Sequence, residues 1–136
     1  MSYLLDTNVC IALINGSSGR VRQRYLQAAG RGAIPATSSI VAHELWYGVA
    51  KSGRVAQNAN RLATFLRSAV SLLDFAAEDA RAAGEIRAEL ERQGKRIGEY
   101  DTLIAGQAFA RNLVLVTANR SEFQRVKGLV VEDWTA

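Results

Sequence analysis

Short apolar runs alternate with longer stretches of helical periodicity along the chain. Tyr3-Leu4-Leu5 stops at Asp6 and predicts a first strand; Thr7 or Asn8 then caps a helix carrying Val9, Ile11, Leu13 and Ile14. The polar, glycine-bearing stretch 15–19 breaks that helix, and 20–31 reads as a second, with Val21, Tyr25, Ala28 and Ala29 on one side. Gly32 closes it, and the sole proline, Pro35, marks a second strand over 33–36. Thr37-Ser38-Ser39 caps a helix whose Ile40, Val41, Leu45 and Val49 face inward and whose Gly48 permits close packing. Beyond Gly53, the residues Val55, Ala59, Leu62, Ala63 and Leu66 recur at helical spacing within 54–67.

The second half repeats the alternation. Residues 70–73 read as a third strand, and 77–93 as a helix with Ala80, Ala83, Ile86 and Leu90 on one face, ended by Gly94. Another helix is predicted over 100–111. Leu113-Val114-Leu115-Val116 is a continuous β-rich run, the pattern of a strand buried on both faces. A short helix bearing Glu122 and Phe123 follows, then a last strand at 129–131, with Trp134 plugging the end of the core. Strands alternating with helices imply an α/β fold: one domain over 1–136, with a mostly parallel central sheet of about five short strands flanked by helices.

Composition narrows the function classes a little. A chain of 136 residues is large enough to bury a core without disulfide staples, and the single cysteine, Cys10, excludes an internal disulfide. It fits a reducing cytoplasm and packs as a small hydrophobe. No run approaches the roughly 18 apolar residues of a membrane span, and nothing resembles a signal peptide. The net charge is +4, with 14 arginines among the 17 basic residues. Such a surface attracts polyanions, although an arginine-rich composition also arises without any such role.

Candidate chemistry lies in four acids. Asp6, Glu44, Asp101 and Glu122 each stand beside an apolar run, at places where regular elements begin or end. Asp6 falls at the carboxyl end of the first strand, and 117–122 follow the carboxyl end of the Leu113–Val116 strand, which is where open α/β sheets bind ligands. Asp101 opens a helix, where the macrodipole favours a carboxylate. Glu44 has no lysine or arginine three or four residues away to pair it. Taken singly, Asp6 and Asp101 are also ordinary helix-start residues; together the four point to one site relieved by a hard divalent cation. The other acids behave differently: Glu85, Glu89 and Glu91 alternate with Arg81, Arg87 and Arg92 on a solvated helix face, and Asp74, Glu78, Asp79, Glu132 and Asp133 sit at turns or caps. Glu99 shares a loop with Asp101. His43, the only histidine, is read as packed or surface. Neither a Gly-x-Gly-x-x-Gly fingerprint nor a Gly-Lys-Ser/Thr phosphate loop occurs, which argues against dinucleotide and nucleoside-triphosphate chemistry.

The segments Leu4-Leu5-Asp6-Thr7-Asn8, Ser39 to Glu44-Leu45, Ile97-Gly98-Glu99-Tyr100-Asp101-Thr102-Leu103-Ile104-Ala105, and Leu115-Val116-Thr117-Ala118-Asn119 to Glu122-Phe123 occur in an order and spacing that resembles the PIN-domain nucleases, specifically the VapC-type toxins of bacterial toxin–antitoxin pairs. The resemblance implies that Asp6, Glu44 and Asp101 are the family's three acidic positions and Glu122 its more variable fourth. It implies that Thr7, Asn8, Thr117 and Asn119 orient those acids. Many relatives carry aspartate where Asn119 stands, so this chain supplies that charge three residues later. Mg2+ or Mn2+ on Asp6 and Asp101, with Glu44 and Glu122 as possible further ligands, is the implied cofactor. An RNA substrate (structured RNA such as tRNA), a cognate antitoxin, and a homodimer or higher toxin–antitoxin assembly are the implied partners. Arg20, Arg22, Arg24, Lys95, Arg96, Arg120 and Arg125 are candidates for guiding phosphates, and Trp46 and Tyr47 for an antitoxin or dimer surface, or else for core. Two other classes fit the acids: a non-cleaving RNA- or partner-binding module of the same fold, whose mark would be a missing acid, and a phosphate-accepting receiver-like domain. The receiver class wants paired acids after its first strand and a lysine beyond its last; Asn8 replaces the one and Lys127 fits the other poorly.

Overall fold

The computed structural model describes residues 2–136. Five strands form one parallel sheet in the order β3-β2-β1-β4-β5: β1 (Tyr3–Leu5), β2 (Ala36–Ser38), β3 (Ser71–Leu73), β4 (Val114–Val116) and β5 (Val131–Glu132). Seven helices surround it: α1 (Thr7–Asn15), α2 (Gly19–Gly30), α3 (Ser39–Ala50), α4 (Val55–Ser68), α5 (Ala77–Arg92), α6 (Glu99–Ala110) and α7 (Arg120–Phe123). From β1 the chain builds outward through β2 and β3 on one side, then returns to add β4 and β5 on the other. The order therefore reverses between β1 and β4, and parallel sheets bind ligands beyond the carboxyl ends of their strands at such a switch point. Leu5 aligns with Val116, and the Asp6 amide donates to the Val116 carbonyl at 3.1 Å. Asp6 and Thr117 thus emerge side by side at that mouth.

The core is the apolar inventory the periodicities mark out, including Leu4, Leu5, Val21, Val41, Leu45, Leu62, Leu90, Leu115 and Val116, closed at one end by buried Trp134. Several boundaries and faces differ from expectation, each for a local reason. Asp6, not Thr7 or Asn8, caps α1: its carboxylate accepts from the Val9 amide at 3.0 Å. The buried residues of α1 are then Val9 and Cys10, and Ile11 is 39% exposed. The second strand lies at 36–38, not 33–36. Pro35 cannot donate to a ladder, so it precedes the strand and only accepts, from the Ser71 amide.

The polar trio read as a cap is therefore mostly strand. Thr37 donates its hydroxyl to the Leu5 carbonyl at 2.8 Å, and Ser38 caps α3 by accepting from the Ile40 amide. The last strand is shifted to 131–132, with Val130 joining only through its carbonyl, which accepts from Leu115. On α4, Phe65 is buried while Val55 is exposed, because Val55 is the first residue of the helix and lies beyond the sheet's cover.

Gly48 touches nothing that a side chain would meet; Gly106 is the glycine that packing requires. A Cβ there would lie 2.6 Å from the Ala83 Cα and Cβ, so α5 and α6 meet backbone to backbone. Gly106→Ala should force the two helices apart and lower the melting temperature by about 5–15 °C, the usual overpacking cost of about 1–3 kcal/mol. Thermal unfolding followed by circular dichroism checks this; an unchanged melting temperature would show that the contact is slack. Asp79 both caps α5, accepting from the Ala76 amide, and pairs with Arg111 of the residue just after α6, at 2.8 Å. The Arg111 guanidinium holds the Asp79 carboxyl below its ordinary range. This pair fastens the start of α5 to the C-terminal end of α6, the helix whose first turn carries Asp101.

Candidate active site

Asp6, Glu44, Asp101 and Glu122 come from four separate elements: the end of β1, the middle of α3, the first turn of α6 and the short helix α7. Asp6 is buried, and the other three are half-buried. Each is held by a neighbour. The Thr117 hydroxyl and the Val9 and Asn8 amides hydrogen bond to Asp6. Thr7 donates its hydroxyl to Glu44 Oε1 at 2.8 Å, and Asn119 donates its side-chain amide to Glu122 Oε2 at 2.9 Å. Thr117 Oγ1 accepts from the Asn119 amide at 3.0 Å, so the turn after β4 links the Asp6 and Glu122 supports. Asn8 contributes its backbone amide; its side chain is exposed.

Electrostatics joins the four. Burial pushes the Asp101 carboxyl up to about 6, and the charges of Glu122, Glu44 and Asp6, in that order, push the same way. Asp6 is raised as well, chiefly by burial and further by Glu44, against the opposing hydrogen bonds from Thr117 and Val9. Among the described residues, none of the four forms an ion pair with lysine or arginine, although six other acid–base pairs do form. Half-buried like charges without counter-charge are an unfavourable arrangement that a cation relieves.

The donor set is all oxygen, which suits a hard ion such as Mg2+ or Mn2+ and disfavours the thiolate and imidazole sites of zinc. Among the described residues, no three His, Cys, Asp or Glu side chains stand close enough together to hold a metal ion. Removing a support should cost function without emptying the site: Thr7→Val and Asn119→Ala are each expected to lower metal affinity or turnover about 10–100-fold. Metal titration and single-turnover cleavage check this, and no change in either would show that the hydrogen bonds are incidental.

The remaining candidates are dispersed. Arg24 is engaged with Glu132 at 3.1 Å and lies over Trp134, so it braces β5 rather than reaching the acids. Arg125 donates to the Arg96 carbonyl, which places those two side by side, and Arg120 heads α7 between Asn119 and Glu122. Glu99 lines a groove of about 340 Å³ between α5 and α6, together with Arg96 and Arg87. Cys10 is buried, and burial pushes its thiol up to about 12, an unreactive state. Trp46 and Tyr47 are 40% and 62% exposed, which removes the core reading of both. His43 is exposed and stands 3.3 Å from the Tyr100 hydroxyl, a contact the sequence reading missed because nothing local links positions 57 residues apart.

The sequence pattern of the PIN domain matches residues 3–129, nearly the entire chain. The chain belongs to the PIN-domain family. Within it the chain is similar to VapC ribonucleases. This PIN domain is 42% identical over 135 residues to the tRNA(fMet)-specific endonuclease VapC of Shigella flexneri, covering 99% of each chain. It is 43% identical over 134 residues to ribonuclease VapC2 of Rickettsia felis, covering 98% of each. Among solved structures, VapBC2 from Rickettsia felis bound to a DNA fragment from its promoter superposes with a TM-score of 0.90 at 42% identity, covering 98% of this chain and 99% of that one. The single PIN domain with its five parallel strands is thus a ribonuclease fold of the VapC type.

Proposed function

We propose that this PIN domain is a Mg2+- or Mn2+-dependent endoribonuclease, the toxin of a VapBC-type pair, acting in the cytoplasm on phosphodiester bonds of structured RNA. The observation that carries the metal dependence is the uncompensated acid cluster at the β1/β4 switch point, with Asp101 raised to about 6. The name of the Shigella flexneri relative, a tRNA(fMet)-specific endonuclease, supports tRNA as the substrate class. A bound divalent ion would supply Lewis-acid activation of water and neutralise charge at the phosphate. Asp6 and Asp101 would hold that ion. Glu44, fixed by Thr7, would orient the attacking water, and Glu122, fixed by Asn119, would support the leaving 3′-oxygen. Asp6 keeps its direction through Thr117 and the Val9 amide.

The direct test is incubation of the purified protein with total bacterial RNA plus Mg2+ or Mn2+, with an EDTA arm, followed by mapping of new 5′ ends. Discrete cleavage lost in EDTA supports the reading; intact RNA in every arm rejects it. The likeness to VapBC complexes supports an antitoxin partner, and a homodimer is the assembly expected of the toxin. Exposed Trp46 and Tyr47 on α3 suit an antitoxin segment laid across that helix, with an arginine or lysine reaching toward the acids. Trp46→Ala combined with Tyr47→Ala should weaken antitoxin binding at least about tenfold, as loss of two aromatic anchors does. Unchanged affinity by calorimetry would place the partner elsewhere.

A further inference from the structure

Two aromatic rings flank the acids at positions the proposed chemistry does not use. His43 immediately precedes Glu44 on α3, and Tyr100 immediately precedes Asp101 on α6. The rings meet across the two helices, with centroids 5.4 Å apart at 53°, and His43 Nε2 lies 3.3 Å from the Tyr100 hydroxyl. Both are exposed, Tyr100 to 47%. Neither serves the core, and a tilted pair leaves ring surface uncovered on each partner. Their hydrogen bond is open to solvent, so it contributes little to the fold.

We propose that His43 and Tyr100 form a base-binding clamp at the mouth of the acid site, taking the nucleobase next to the scissile phosphate by stacking. The inference rests on the ribonuclease reading of that site. The ring pair bridges the same two helices, α3 and α6, whose Glu44 and Asp101 charges act on each other, so it stands on the rim that a nucleotide entering the acid site passes. A polyanion gains nothing from more carboxylates there. A neutral π-face is the part of a nucleotide that this rim can hold, and single-stranded RNA is recognised by splaying bases onto aromatic side chains. A ring that also carries polar atoms (the imidazole nitrogens and the phenol hydroxyl) can read a base edge, which makes the pair a determinant of sequence preference at one position.

The test is a double-mutant cycle between protein and RNA. An oligonucleotide spanning the mapped cleavage site is prepared intact and with single abasic ribose units at each nucleotide flanking the scissile bond. Wild type, Tyr100→Ala, Tyr100→Phe and His43→Ala are compared by kcat and KM in Mg2+, with thermal melting as the folding control. Tyr100→Ala should raise KM about 10–100-fold with kcat within about threefold, and Tyr100→Phe should retain most of the affinity. One abasic position should cost wild type a similar factor and cost Tyr100→Ala nothing further.

An unchanged KM for folded Tyr100→Ala overturns the clamp, and so do penalties that multiply at every abasic position. A fall in kcat and melting temperature together, with the abasic penalties intact, assigns the pair to pinning α3 against α6 and equally overturns it. Weakened antitoxin binding with unchanged KM gives the rings to the protein partner instead. If wild type cleaves no RNA, the ribonuclease reading fails on its own. The cycle is then read as fluorescence anisotropy of a single-stranded oligoribonucleotide with and without abasic units, where equal affinity in all four corners rejects the clamp.

Discussion

Asp101→Asn is expected to lower RNA cleavage by about a thousandfold or more while raising the melting temperature of the metal-free protein. Both effects come from one carboxylate. Its folded pKa, about 6, lies above the ordinary 3.8 because burial and the charges of Glu122, Glu44 and Asp6 disfavour ionisation. A carboxyl that holds its proton more tightly when folded makes the native state lose stability as pH rises from about 4 to about 6. At neutral pH that loss is complete, and the group remains ionised at the expense of the fold. Asparagine has nearly the same shape and no charge to desolvate, so the metal-free variant should gain a few degrees, on the order of 2–5 °C once solvent screening of a half-buried group is allowed for. On the proposed mechanism the same change would also remove a principal ligand and with it the activation of water. A variant that is more stable and inactive is the signature of an acid kept for chemistry. One that is less stable with retained cleavage would mark Asp101 as an ordinary helix-start residue.

Lowering the pH should reproduce that loss reversibly. Below about 6 a proton competes with the cation for Asp101, so apparent Mg2+ or Mn2+ affinity is expected to fall about tenfold per pH unit between 6 and 5. Asp6 is raised in the same direction and steepens the fall. At limiting metal the cleavage rate should follow the affinity, and saturating metal should move the fall to lower pH by mass action. Chelation with EDTA at pH 7.5 should abolish cleavage, and added Mg2+ or Mn2+ should restore it. Affinity that stays flat from pH 5 to 8 would mean that the carboxylates do not share one electrostatic environment.

Much of this was legible in the order of residues, because a parallel α/β sheet writes itself as buried apolar runs separated by helical periodicity. The Leu113–Val116 run is the clearest instance, since a strand buried on both faces has no alternation to confuse it. Strand ends were less legible. Thr37 and Ser38 carry local preferences for turns and caps, and only pairing with Leu5 and Leu73 makes them strand, while Pro35 stays outside it. The close packing credited to Gly48 belongs to Gly106, because the requirement comes from Ala83 on another helix and leaves no mark in the neighbouring sequence. At the site, the four acids could be singled out because each stands beside apolar residues without a basic partner. Of the polar residues singled out beside the acids, Thr7 and Asn119 hydrogen bond to Glu44 and Glu122 through their side chains, while Asn8 meets Asp6 only through its backbone. The His43–Tyr100 contact was not legible at all, since only the fold makes neighbours of α3 and α6.

One divalent pocket built from distant carboxylates is the claim on which the rest depends, and Mn2+ titration at pH 7.5 addresses it most directly. Wild type, Asp6→Asn and Asp101→Asn, each checked for native melting, would be titrated by calorimetry or by the loss of the free-ion resonance signal. Either substitution should weaken binding by at least about tenfold, with smaller losses for Glu44→Gln and Glu122→Gln, as expected for principal and supporting contributors to one site. Equal Mn2+ affinity in wild type and both aspartate variants would contradict it.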